Sequence, residues 1–282
     1  MENFECILGN TTDNDIKKLQ LLLKKVFKKN FKFGYLKWLY NENPNGKAII
    51  SNITSKGNIV GHYAVIPTIL SIDNTNYRAA LSLNTAVDNK FRGRGFFKMM
   101  AEKAYEESIN QGIDFIIGVA NQQSTNLFLK YFNFQNLGKL DVKFGVGKIN
   151  NSENNKKVKV FWNNDSLNWR IRNPKFEYKV YSKKNKIIIA NKFYKFLNIY
   201  MGEFNKNDFI EIDKYEKNNI NFLNLYIGIG KNNWKKSLYF DLPNFLKPSP
   251  LNLIFKDISE KQNKLILKKD EFLFQLLDFD AF

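Results

Sequence analysis

The chain has 282 residues, 44% hydrophobic and 25% charged, which is enough apolar material for one large domain or two modest ones. No stretch approaches the roughly 20 uninterrupted apolar residues of a membrane helix. The start lacks a basic segment followed by an apolar run, and the lone Cys6 excludes an intrachain disulfide, so a reducing, cytoplasmic location is expected.

The net charge is +17, from 44 basic and 27 acidic residues. Such a balance suits nucleic acid, an anionic membrane surface or anionic small ligands. The lysines are scattered rather than gathered in a block or stripe, which argues against nucleic acid. The abundance of Lys, Asn, Ile and Phe also fits the codon bias of an AT-rich genome.

A first strand is expected at Phe4–Leu8. A helix follows from Asp13 or Asp15, with Ile16, Leu19, Leu23 and Val26 on one face and an acidic residue as N-cap. Tyr35–Tyr40 reads as a short helix stopped by the turn Asn41-Glu42-Asn43-Pro44-Asn45-Gly46. Lys47–Thr54, Asn58–Asp73 and Tyr77–Val87 read as strands of an antiparallel meander, with Pro67 marking a break or bulge. Phe96–Asn110 is a helix with Phe97, Met100, Ala101, Ala104 and Ser108 facing inward, ended by Gly112. Ile113–Val119 is a continuous apolar run, as in a buried central strand. A shorter helix, Ser124–Tyr131, and a strand, Leu137–Val146, complete this half.

Residues 150–157 are polar and read as a linker, so domains are placed at 1–150 and 151–282. Beyond the linker come apolar segments expected as strands: Phe176–Tyr181, Lys186–Ala190, Phe196–Met201, Phe222–Ile229, Ser237–Phe240, Leu251–Phe255, Lys264–Leu267 and Phe272–Leu277.

The chemistry is concentrated at Arg92-Gly93-Arg94-Gly95, between a strand end and a helix start. Helix N-termini present unpaired N–H groups and partial positive charge, and glycines permit positive φ and close backbone approach. Arg92, Arg94 and Lys98 add charge, so the loop suits a pyrophosphate. A plain turn into an amphipathic helix stays open for the loop taken alone. A dinucleotide fold would place it after the first strand of a parallel unit, and a P-loop would carry Gly-Lys-Ser or Gly-Lys-Thr; neither pattern is present.

In this context residues 1–150 resemble the GNAT superfamily of acetyltransferases. Arg92-Gly93-Arg94-Gly95-Phe96-Phe97 matches the family's Arg/Gln-x-x-Gly-x-Gly/Ala pattern; Asn121 and Tyr131-Phe132-Asn133-Phe134 match more loosely. Phe97 departs from the small third residue, and the family's tyrosine acid falls near Phe128 or Leu129. The resemblance implies an α+β fold, a mostly antiparallel twisted sheet flanked by helices, followed by a strand-rich second domain that could be a degenerate copy. It implies acetyl-CoA as cofactor, with the two strands Tyr77–Val87 and Ile113–Val119 splayed around the pantetheine arm. Ala86 and Val87 would bond that arm, Arg92, Gly93, Arg94, Gly95, Phe96 and Phe97 would surround the pyrophosphate, and Asn121 would lie near the pantetheine. An amine would attack directly, without an acyl-enzyme.

For the proton, His62 is the sole histidine and titrates near neutrality when exposed. Its two readings, a base and a hydrogen-bonded strand histidine, stay open. Asn84 and Thr85 could orient a water instead. Tyr131 and Tyr63 are candidate acids for the leaving thiolate, and Asp88 reads as a turn residue. No metal site is expected. By resemblance to two-part members in surface-polysaccharide synthesis, the acceptor would be the amine of a nucleotide-linked sugar, walled by the second half with Trp162, Trp169, Arg170, Arg172 and the tail 278–282. Other small amines and peptide amines are alternatives. From a different class, a nucleic-acid module would stack bases on Phe193, Tyr194 and Phe196 among Lys192 and Lys195. A homo-oligomer stays open.

Overall fold

The computed structural model describes residues 3–147, 149, 156–194, 197–209, 212, 215–216, 223–230, 234, 237–243, 246, 250–262 and 264–279. Most of the linker at 150–157, the tail end 280–282, Phe196 with Lys195, and the side chains of Lys192, Phe193 and Tyr194 lie outside the described residues. Two compact units are formed. The first holds residues 1–69, 77–118 and 256–264, and the second holds 70–76, 119–255 and 265–282.

The first unit contains β1 (Glu5–Leu8), α1 (Asp13–Phe27), α2 (Phe33–Asn41), β2 (Ile49–Ser55), most of β3 (Asn58–Ile72) and of β4 (Thr75–Val87), α3 (Phe96–Asn110) and the start of β5 (Phe115–Ala120). β1 pairs antiparallel with β2 and β2 with β3, while β4 and β5 run parallel. The β2–β3 turn is Lys56-Gly57, both at positive φ, the geometry whose twist suits a two-residue hairpin.

The α1 N-cap is Thr12 rather than an aspartate. Its Oγ1 accepts from the Asp15 N–H at 3.3 Å, which leaves Asp13 and Asp15 to face the positive end of the helix from its first turn. The break expected at Pro67 is absent, and β3 runs on through it. The β2 ladder ends at Val65, so the missing proline N–H removes no bond from it. α3 buries Phe96, Met100, Ala101, Ala104, Tyr105 and Ser108, and packs on β1 and β2. Phe96 thus takes the innermost place expected of Phe97, which is only half-buried.

The second unit continues with α4 (Gln122–Phe132), β6 (Gln135–Lys139), β7 (Asp141–Val146), β8 (Val158–Val160), α5 (Asn164–Ile171), β9 (Tyr178–Lys183), β10 (Lys186–Tyr194), β11 (Leu197–Asn205), β12 (Leu223–Ile229), β13 (Tyr239–Asp241), β14 (Asn252–Asp257) and β15 (Phe272–Gln275). It is strand-rich, as expected. β9, β10 and β11 pair antiparallel in turn, β11 and β12 run parallel, and β12 also pairs with β7 and β15. Ile149, Tyr200, Tyr226 and Tyr239 pack into a buried cluster there.

Two expectations for residues of the second unit need correction, and one helix there was missed. The strand Leu137–Val146 is two strands, because β6 pairs with β14 up to Lys139 while β7, from Asp141, pairs with β12 and β13. Lys264–Leu267 is not a strand; the Gln135 side chain clamps it by donating to Leu265 O at 2.6 Å and accepting from Leu267 N at 2.9 Å. The helix α5 was not anticipated. A reciprocal capping box between Asn163 and Ser166 starts it.

Candidate functional site

The loop between β4 and α3 has the geometry an anion needs. Gly93 and Gly95 take φ +79 and +76, and a Cβ at either would meet nothing within 4 Å. Gly95 is the N-cap of α3 and offers no side chain to its first N–H groups; the first turn of the helix carries no acid. A helix start without a side-chain cap is the geometry in which backbone N–H groups receive an anion. Arg92, Gly93, Arg94 and Gly95 are exposed, and Phe96 is buried.

Aromatic packing fixes the loop from below. Phe4 contacts Phe91 at 5.3 Å and Phe96 at 5.1 Å between ring centres. The Arg94 guanidinium rests 5.0 Å from the Phe4 ring centre and 5.6 Å from that of Phe91. This cation–π shelf keeps the charge at the loop while leaving it exposed. Arg92 Nε donates to the Val87 carbonyl at 3.4 Å. Phe97 sets its ring edge-on to Tyr63 at 6.0 Å, so its bulk turns inward and its N–H stays at the helix start.

The parallel ladder of β4 and β5 ends at Ser82 opposite Gly118, while β4 continues through Asn84, Thr85, Ala86 and Val87. Asn84 interrupts the strand with φ +55, a conformation asparagine tolerates better than most residues. Ala86 is buried, and Asn84, Thr85 and Val87 are half-buried.

A buried polar chain starts at Asn84. Its Nδ2 donates to the Tyr40 hydroxyl at 2.9 Å, Tyr40 lies 3.1 Å from His62 Nε2, and His62 Nδ1 lies 2.8 Å from Asn52 Oδ1. A neutral imidazole satisfies all three contacts. Asn52 Oδ1 can only accept, so Nδ1 carries the hydrogen; Nε2 then accepts from the Tyr40 O–H, and the Tyr40 oxygen accepts from Asn84. Burial is what keeps His62 neutral, pushing it down from 6.5 to about 3. It is fully buried, with both ring nitrogens engaged. Burial also pushes the Tyr40 hydroxyl up, against the opposing bond from Asn84.

Beside this chain, Tyr63 donates to Ser82 Oγ at 2.8 Å and lies 2.9 Å from the Tyr105 hydroxyl, and burial pushes it up to about 12. Asp88 caps the short turn after β4 by accepting from Lys90 N at 3.2 Å, and pairs with Lys25 at 2.5 Å. Burial acts to raise its carboxyl, but the bond from Lys25 and the other contacts outweigh it and hold the group below the usual carboxylate range.

In the second unit, Asn121 is the N-cap of α4. Its Oδ1 accepts from Ser124 N at 2.9 Å and from Ser124 Oγ at 2.6 Å. Tyr131 is 45% exposed near the end of α4, with the Lys130 ammonium 5.5 Å from its ring centre. Phe128, one of the two positions near which the resemblance puts the family's acid, is buried against Phe132 and Phe134.

The structure thus brings together the loop residues and the end of β4, and joins Asn84 to His62 through Tyr40. Sequence reasoning missed Tyr40 and Asn52. Both were polar residues in apolar segments, a signal that marks a buried network but does not say which partner each one meets.

No curated protein matches the chain in sequence. Residues 9–132 match the family model described as an acetyltransferase (GNAT) domain. Among solved structures, a GCN5-related N-acetyltransferase from Anabaena variabilis is similar at 11% identity and TM-score 0.61, over 91% of this chain and 73% of that one. Another from Kribbella flavida gives 8% identity and TM-score 0.61, over 91% and 71%. A conserved protein from Enterococcus faecalis V583 gives 9% and 0.61, over 91% and 73%. At such identities these likenesses show the fold. Among the described residues, no helix is long and apolar enough to cross a membrane. Residues 9–132 thus match a GNAT acetyltransferase domain within a chain of the same fold, which supports an acyltransferase dependent on acetyl-CoA.

Proposed function

We propose that the chain moves an acetyl group from acetyl-CoA to the amine of a small acceptor, by direct attack in a ternary complex. The observation that carries this is the uncapped α3 N-terminus, with Gly93 and Gly95 at positive φ over open space and Arg92 and Arg94 exposed beside it. These residues, with the N–H groups of Phe96 and Phe97, fit a pyrophosphate. Acetyl-CoA, when bound, supplies the activated acetyl thioester. The end of β4, released from its ladder at Ser82, offers the backbone of Ala86 and Val87 to the pantetheine amides. A fixed N–H on a developing oxyanion is typically worth about 3 kcal/mol.

For the amine's proton, the burial of His62 favours a positioning role. The imidazole holds Tyr40, and Tyr40 holds Asn84 in its left-handed conformation. A water ordered by Asn84 and Thr85 is then the proton route. Asn121 near the pantetheine, and Tyr131 as acid for the thiolate, belong to the same reading. Cys6 has Ser51 Oγ as its neighbour at 3.5 Å and, among the described residues, no histidine or carboxylate hydrogen-bonded to it, which disfavours it as an acyl carrier.

We infer a nucleotide-linked amino sugar as acceptor, because a chain of net charge +17 with exposed arginines favours a second diphosphate as well as the first. In this reading residues 1–150 serve the coenzyme and 151–282 contribute to the acceptor site, a functional division distinct from the compact units. The test is thiol release from acetyl-CoA with a panel of nucleotide-linked amino sugars, free amino sugars and peptide amines. Faster release with the nucleotide-linked compounds supports the acceptor; a preference for peptides refutes it. Protein acetylated without acceptor would refute direct transfer.

A further inference from the structure

The second unit contains a cleft of about 390 Å³, lined in part by Trp162 and Asp278 of the half that the proposed function gives to the acceptor, so the inference drawn from it rests on that reading. Phe161, Trp162, Phe204 and Phe209 supply rings to its lining, and Asn164 and Asn205 supply amides. Its titratable groups are two carboxyls, Asp208 and Asp278, against one cation, Lys159. In a chain of net charge +17 this is a local excess of acid.

Asp278 is the unusual member. It is 5% exposed, and its two oxygens accept only from neutral groups: Oδ1 from Trp162 Nε1 at 2.9 Å and Oδ2 from Gln275 N at 2.6 Å. Among the described residues no cation lies within 4 Å of it. The guanidinium of Arg170, from α5, sits over the rings of Trp162 and Trp169, at 5.6 and 4.9 Å, and reaches Asp278 only through space. Gln275 is itself tied to β11, accepting from Glu203 N at 2.7 Å, and Tyr226 of β12 is close enough for its hydroxyl to be affected by Asp278. A buried carboxyl held by two N–H groups and among aromatic rings, with no cation within 4 Å among the described residues and the Arg170 charge acting only from farther off, is an arrangement that can receive an ammonium group.

We propose that this cleft binds a small cationic amine carried on a compact ring, with Asp278 as its anionic anchor and the aromatic walls taking the ring. A volume of about 390 Å³ is at the small end of ligand sites. Burial raises the Asp278 carboxyl to about 7, with the bonds from Gln275 and Trp162 and the Arg170 charge opposing. Near pH 7 part of the population is then protonated, and an arriving ammonium releases that proton to the buffer.

The experiment is titration calorimetry of the full chain with D-glucosamine, without acetyl-CoA, in two buffers of different ionisation heat near pH 7. The expected result is binding with a Kd on the order of 1 mM, with proton release. N-acetylglucosamine, which keeps the ring and loses the charge, should bind at least about tenfold more weakly, a gap of ~1.4 kcal/mol. Asp278→Asn should lose binding and proton release together, and Gly95→Val should keep both. Absence of glucosamine binding, equal binding of the neutral sugar, or intact binding by Asp278→Asn would overturn the proposal. So would loss of binding in Gly95→Val, which would assign the sugar to the coenzyme region. The wild-type comparison of the two sugars decides the matter even if Asp278→Asn fails to fold.

Discussion

Replacing His62 by glutamine removes a titrating group while leaving an amide oxygen to accept from Tyr40. In the folded chain His62 is held at about 3, against 6.5 for an exposed imidazole. Between these values the unfolded chain binds a proton that the native one refuses, so this group makes stability fall as pH falls. The loss begins near pH 6.5 and is complete near pH 3. One pKa unit corresponds to about 1.4 kcal/mol, so going from pH 7 to about pH 4.5 removes about 3 kcal/mol through this residue alone. That is a large part of the 5–15 kcal/mol typical of a folded domain. Other groups titrate equally in both proteins, so the quantity to measure is the difference in urea-unfolding free energy between wild type and His62→Gln. At pH 7 the variant should be the less stable, through imperfect bonds to Tyr40 and Asn52, and the gap should shrink or reverse by about 3 kcal/mol near pH 4.5. An unchanged gap would mean that His62 titrates normally, and the buried relay would be refuted.

Three further outcomes follow from the same structure. Asp278 is raised from 3.8 to about 7, so the native chain holds its proton longer than the unfolded one, and this group lowers stability as pH rises through that window, by about 4 kcal/mol at most; Asp278→Asn should flatten the fall in unfolding free energy, and an equally steep fall would contradict its burial. Tyr63→Phe removes bonds to Ser82 and Tyr105 and should cost about 1–3 kcal/mol in chemical denaturation; a loss of near zero would show that water replaces them. Arg94→Ala should raise KM for acetyl-CoA about tenfold, or ~1.4 kcal/mol, and weaken its dependence on salt, whereas an unchanged KM and salt slope would separate Arg94 from the phosphates.

Much of the first unit was legible because its signals are local. The period of α1 and α3, the turn Lys56-Gly57, and the glycines before α3 each act over a few residues. The polar network was not legible, and the reason lies in the register. From the Lys56-Gly57 turn, simple counting puts His62 opposite Ser51. A bulge between Ile53 and Thr54 shifts the ladder by one, so His62 faces Asn52, and the displaced Val60 accepts from Asp88 N at 2.9 Å. Nothing in the local sequence fixes that bulge. The Gln135 clamp and the Asp278–Trp162 bond join residues more than a hundred positions apart, and no spacing rule reaches that far.

The role of the loop before α3 is the center of the account, and calorimetry of acetyl-CoA binding to wild type and Gly95→Val tests it most directly. Gly95 sits at φ +76 with no protein atom within 4 Å of a Cβ placed there. The Cβ of valine would therefore meet no atom beyond its chain neighbours. It would strain the backbone by roughly 1–2 kcal/mol and fill the space in front of the α3 N–H groups. The account predicts that acetyl-CoA binds the variant at least about tenfold more weakly, a loss of ~1.4 kcal/mol or more, while the fold stays intact. Equal affinity for the two proteins would contradict it and remove the phosphates from this loop.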